Sequence, residues 1–252
     1  PIFPGTNCEY DMNRAFTREG AQVVTEVYRD ASSYARQIEQ ADILAIPGGF
    51  SVGDEPDGSA KFIVSVLRQA QVKEAVHSLL RKGGLILGIC NGFQALIKSG
   101  LLSYGKIRDL DANSPTLAQN DSEHHVAKIV RTQVASVASP WLSSFDVGEV
   151  HHIPISHGEG RFVAPKEVID ELFANGQVFS QYVDPNRKVT MQTPYNPNGS
   201  MYAIEGIVSR DGRVLGKMGH SERQGENRFK NVYGEMDQKL FEAGVNYFRG
   251  GK

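Results

Sequence analysis

The sequence predicts an α/β protein: a doubly wound, mostly parallel sheet with helices on both faces and extra β-strands in the second half. Three features carry this reading. Apolar strands alternate with amphipathic helices as far as Leu102, an apolar run breaks at a glycine-flanked cysteine and continues as a helix, and beyond Leu102 the rhythm changes to strands joined by short turns.

Taken in order, Thr6 and Glu9 form a capping-box pair, Met12, Ala15 and Phe16 follow at helical spacing, and Gly20 stands where a helix stops. Residues 22–27 read as a strand, 34–40 as a short helix and 42–46 as a further strand. Ile63, Val66, Leu67 and Ala70 mark one face of a single long helix that ends near Gly83 and Gly84. Residues 85–89 form the next strand and 91–99 the helix after it, closed by Gly100. In such sheets ligands bind at the carboxyl ends of the strands, where Pro47-Gly48-Gly49 and Cys90 both fall. Residues 113–125 are polar and read as a loop, 126–137, 153–156 and 178–183 as strands, and 166–175 as a helix. Residues 203–209 and 213–218 make a hairpin around Asp211-Gly212. A last amphipathic helix carries Met236, Leu240, Val245 and Phe248.

At 252 residues and 40% hydrophobic content, the chain buries a full core and reads as one domain over 1–252. Pro1-Ile2-Phe3-Pro4 is too short for a central strand, so the beginning of the first strand is expected to be missing, or the segment to be cut from a longer polypeptide. A formal net charge of −2 gives no field for nucleic acid and no basic stretch for a membrane surface. No apolar run approaches the roughly 20 residues of a spanning helix, and no signal peptide opens the chain, so the cytoplasm is the expected location. Cys8 and Cys90 read as reduced thiols. Walker A, dinucleotide-glycine and kinase motifs are absent, which gives no support for nucleotide binding.

The chemistry centres on Gly88-Ile89-Cys90-Asn91-Gly92. A cysteine ending an apolar strand is by default a core residue. Two flanking glycines argue otherwise, because they weaken both strand and helix and are explained by a sharp strand-to-helix corner that exposes a nucleophile. The positive end of the following helix favours the thiolate. Such a nucleophile needs a histidine to move its proton and an acid to orient that histidine. His220-Ser221-Glu222 supplies both at another strand end, although alone it also fits an exposed loop. Gly49, in Pro47-Gly48-Gly49-Phe50-Ser51, and the N–H of Asn91 could together form an oxyanion hole; an ordinary turn would also use those glycines. His157 lies in a glycine-rich stretch suited to a ligand or to a hairpin. The tandem pairs His124-His125 and His151-His152 point to opposite faces and are expected at the surface, and no metal site is expected.

Together, Pro47-Gly48-Gly49-Phe50-Ser51, Gly88-Ile89-Cys90-Asn91-Gly92-Phe93-Gln94, Ser156-His157-Gly158-Glu159-Gly160-Arg161, Asn196-Pro197-Asn198-Gly199-Ser200 and His220-Ser221-Glu222-Arg223 closely resemble the class I glutamine amidotransferases. Within that class they are most similar to the glutaminase part of phosphoribosylformylglycinamidine synthases, of purine biosynthesis. The resemblance spans nearly the whole chain and implies a flavodoxin-like sheet. It implies Cys90 as nucleophile, His220 as acid and base, Glu222 as its orienting carboxylate, and Gly49 and Asn91 as oxyanion donors. Phe50, Gln94, Ser156, His157 and Gly158 would hold glutamine. No cofactor is implied in this chain; ATP and magnesium belong to a partner synthetase domain or subunit, with a small bridging subunit as a further partner. Two other readings stand beside it: a cysteine hydrolase or protease on the same scaffold, and a non-catalytic regulatory subunit.

Overall fold

The computed structural model describes residues 1–54, 58–225 and 228–250. Its central sheet has seven strands: β1 (Ile43–Ile46), β2 (Leu85–Ile89), β4 (Val126–Val134), β5 (Val150–His157), β7 (Val178–Tyr182), β8 (Ile204–Val208) and β9 (Val214–Lys217). They run in the order β1-β2-β9-β8-β7-β4-β5. The β1-β2 and β2-β9 junctions are parallel, and the second-half strands extend the sheet through antiparallel pairings. β3 (Thr116–Gln119) and β6 (Glu159–Val163) form a separate antiparallel pair. Every residue of β2 is buried, which requires cover on both faces of the sheet. Part of that cover is α5 (Asn91–Lys98), which packs on β1, β2 and β9. Elsewhere Trp141 is fully buried beside Phe16 of α1 (Glu9–Arg18), and Phe16 meets Phe241 of α8 (Leu240–Phe248) edge-on. Among the described residues no helix is long and apolar enough to cross a membrane.

Several local expectations are corrected. The capping box does not form: α1 starts at Glu9 without a side-chain cap, and Thr6 Oγ1 instead accepts the Phe3 N–H at 3.1 Å. Residues 22–27 make only an isolated parallel bridge, Val27 to Ile2, because the segment opposite reaches Pro4, which has no N–H to give. The long helix is two helices, α3 (Lys61–Arg68) and α4 (Ala70–Arg81), broken where Gln69 is extended (φ −61, ψ 134). The apolar stripe slips there: Ala70 is exposed and burial resumes at Val72, so one straight helix cannot keep both stripes inward. The polar stretch 113–125 contains β3, whose single buried residue, Leu117, gives too short an alternation to read. The remaining helices are α2 (Ala31–Gln40), α6 (Leu101–Tyr104) and α7 (Lys166–Ala174), and the hairpin around Asp211-Gly212 is present as β8 and β9.

Candidate active site

Cys90 occupies the corner between β2 and α5 with φ 53 and ψ −109, a conformation that costs a non-glycine residue about 1–3 kcal/mol. The corner is held from below, because the Cys90 N–H donates to the Lys217 carbonyl at 2.8 Å and continues the β2-β9 ladder. The flanking glycines allow close approach. A Cβ on Gly92 would lie 2.0 Å from the Ile46 carbonyl oxygen, and one on Gly88 would lie 2.6 Å from the backbone of Gly92. Cys90 Sγ lies 3.8 Å from the Ser156 carbonyl.

His220 follows β9, and its N–H donates to the Pro154 carbonyl at 2.8 Å. It is buried rather than an exposed loop residue, and its Nδ1 lies 2.6 Å from Glu222 Oε1. An Nδ1–H donated to that carboxylate leaves Nε2, which is buried and has no hydrogen-bond partner among the described residues, as the basic nitrogen. His220 and Cys90 converge over Gly48, where an added Cβ would lie 2.8 Å from His220 Cε1 and 3.1 Å from Cys90 Cβ. Burial pushes the imidazole down, but the Glu222 carboxylate and the Cys90 sulfur outweigh it and raise His220 to about 9.

All the sequence-predicted site residues except Glu222, which stands behind His220, border one cavity of about 560 Å³. Gly49 has φ 109, and its carbonyl accepts Asn91 Nδ2 at 2.9 Å, which ties the glycine loop to the first turn of α5. Phe50 is 58% exposed at this cavity. Gln94 is buried, and its amide nitrogen is committed to the Glu159 carbonyl. The Ser156 hydroxyl meets His125 Nε2 at 3.0 Å. The Gly158 carbonyl accepts the Asn120 N–H at 2.9 Å. The ring of His157 is engaged elsewhere, with Nε2 3.2 Å from Asn198 Nδ2, and burial holds it down to about 3, helped by His220 and His125.

One histidine expectation changes: His151 is buried, because the alternation of β5 turns one of two adjacent residues inward, while His124 and His125 are exposed as expected and border the cavity. Sequence reasoning also missed residues that shape the site. Asp54 gathers four donors: the Ser51 N–H (2.7 Å), Ser51 Oγ (2.6 Å), the Ala60 N–H (2.8 Å) and Asn91 Nδ2 (2.7 Å). Its only chain-local signal is the three-residue step from Ser51, a common turn spacing. Lys98 bridges Ser59 and Glu159 at the cavity wall. Cys8, weighed only for a disulfide, receives Arg223 Nη2 at 3.2 Å. Burial pushes its thiol up to about 11 against the pull of Arg223. Its sulfur, one His220 nitrogen and one Glu222 oxygen all lie within 4.8 Å of one another.

Residues 1–248 match the CobB/CobQ-like glutamine amidotransferase domain. The phosphoribosylformylglycinamidine synthase subunit PurQ of Salinibacter ruber is 33% identical over 246 residues, 98% of this chain and 94% of the relative. The subunit of the same name from Moorella thermoacetica is 36% identical over 225 residues, covering 89% and 86%. Among solved structures, PurLQS from Thermotoga maritima superposes with a TM-score of 0.72 at 30% identity, covering 98% of this chain and 96% of that one.

Proposed function

Since the chain belongs to the CobB/CobQ-like glutamine amidotransferase domain family, we propose that it is the glutaminase component of a phosphoribosylformylglycinamidine synthase. In this reading it hydrolyses glutamine and passes ammonia to a synthetase partner in purine biosynthesis. The near-full-length relatives bearing that name support the assignment. The observation that carries the chemistry is the meeting of Cys90 and His220 over Gly48, with Glu222 behind the imidazole.

Cys90 thiolate attacks the side-chain carbonyl carbon of glutamine, and the resulting oxyanion rests on the N–H groups of Gly49 and Asn91. Protonated His220 gives its proton to the departing nitrogen, so that ammonia leaves and a glutamyl thioester stays on the sulfur. The now neutral imidazole takes a proton from water, hydroxide attacks the thioester, and glutamate and the thiolate are released. Glu222 stabilises the imidazolium at each stage. Gln94 and the backbone of Ser156, His157 and Gly158 border the space for the amino-acid end of glutamine, with Phe50 at its exposed side. In this reading the ATP- and magnesium-dependent step belongs to the partner, with a small bridging subunit as a further partner, and the likeness to a chain of the PurLQS structure supports a synthetase partner.

The test is glutamate release from free glutamine by the native protein and by Cys90→Ser, alone and with a synthetase subunit. The expected result is activity that rises with the partner and disappears in the variant. Glutamine turnover that survives Cys90→Ser, or turnover of peptides without that of glutamine, overturns the reading.

A further inference from the structure

Beneath the imidazole lies an ion pair that the reaction scheme leaves without a role. Lys217 Nζ of β9 and Glu205 Oε1 of β8 are 3.3 Å apart, with both side chains fully buried. Taking two ions out of water costs several kcal/mol each, and well-packed apolar residues often serve stability as well. The pair is therefore explained by what its atoms touch, and they touch the residues on either side of His220. Glu205 Oε1 accepts the Gly219 N–H at 2.7 Å, while Lys217 Nζ donates to the Gly219 carbonyl at 2.9 Å and to Ser221 Oγ at 2.9 Å. The outer ends are fixed as well: Ser180 Oγ donates to the second oxygen of Glu205, and Ser221 Oγ donates to Gln238 Oε1 at 2.5 Å.

Gly219 needs this restraint. A Cβ there would lie 2.5 Å from Ile153 Cγ2, 2.9 Å from Glu205 Oε1 and 3.0 Å from Lys217 Nζ, so the space admits only glycine. Glycine carries the largest backbone freedom of any residue, and here it immediately precedes His220. We propose that Lys217 and Glu205 are positioning residues that grip both polar groups of the Gly219 backbone and hold the His220 ring over Cys90. Neither touches the reacting atoms. The inference rests on the reading of His220 as the proton carrier. Burial pushes the Lys217 ammonium below its ordinary range while Glu205 and Glu222 pull it back.

Either single replacement strands a buried charge, so the informative variant is Lys217→Met with Glu205→Gln. The glutamine oxygen still accepts the Gly219 N–H, but the Gly219 carbonyl and Ser221 lose their donor. The variant and native chains are compared in the complex with the synthetase for glutamine kinetics, for thermal unfolding, and for the rate at which iodoacetamide alkylates Cys90. Misplacing a catalytic group by about 1 Å costs about 100-fold. The expected result is cooperative unfolding, KM within about twofold of native, kcat lowered at least about tenfold, and slower alkylation at neutral pH. Native kcat and alkylation overturn the proposal. A variant that fails to fold assigns the pair to the scaffold and overturns it equally. A native complex that releases no glutamate defeats the active-site reading instead, and the alkylation rate, which needs no glutamine, keeps the two failures apart.

Discussion

Replacing Glu222 by glutamine isolates the charge that holds His220 protonated. The imidazole is raised from 6.5 to about 9, with burial opposing the shift and Glu222 the largest influence in its favour. A raised histidine favours the folded state when charged, so its contribution is complete below pH 6.5 and is lost as pH rises through about 9. A gap of this size, at about 1.4 kcal/mol per unit, amounts to about 3 kcal/mol. That is a large share of the roughly 5–15 kcal/mol that holds an ordinary domain together. Glutamine keeps an oxygen to accept the Nδ1–H but carries no charge, so the imidazole loses its largest upward influence and falls, with the Cys90 sulfur left to oppose burial.

Urea unfolding at intervals from pH 6 to pH 10, on the native protein and Glu222→Gln, reads this directly. Native stability should decline through the window, whereas the variant should stay flatter by about 2 kcal/mol or more. Glutaminase activity should fall between about 10²- and 10⁴-fold, because the imidazolium loses its stabilising partner. Identical slopes for the two proteins between pH 6.5 and pH 9 would refute the assignment of the His220 shift to Glu222.

Asp54→Ala strands the donors of Ser51, Ala60 and Asn91, so it should cost about 2–4 kcal/mol in urea unfolding and lower glutamate release by freeing the Gly49 loop. Gly92→Ala forces a methyl against the Ile46 carbonyl and should destabilise the protein by about 3 kcal/mol, seen as a lower unfolding midpoint.

Much of this architecture was legible because it is written locally. The run Leu85 to Ile89 is apolar throughout, as a strand covered on both faces must be, and the glycines beside Cys90 have no use except a tight corner. His220 and Glu222 are two residues apart, so their pairing is also a local property. The misses are contacts between distant segments. Lys98 and Glu159 are 61 positions apart and Arg223 and Cys8 are 215 apart, and no spacing rule connects them. Asp54 looks like a turn residue until α5 brings Asn91 to it, and the slip between Leu67 and Val72 breaks a helix whose propensity is good on either side.

The same distinction explains why the site depends on sheet register more than on either motif. Nucleophile and base follow neighbouring parallel strands, with Ile89 opposite Lys217, so that the Cys90 N–H reaches the Lys217 carbonyl and the His220 N–H reaches β5 at Pro154. A slip of one residue between β2 and β9 would turn one strand's side chains to the opposite face. Both motifs would survive intact in the chain, yet Cys90 and His220 would no longer converge over Gly48. The buried contacts of Lys217 fix β9 against β8, because Nζ meets Glu205 there, while the Cys90 N–H on the Lys217 carbonyl ties β2 to β9. The pair therefore bears on the partnership of Cys90 with His220 twice: once through the alignment of β9 with β8 and once through the glycine that precedes the base.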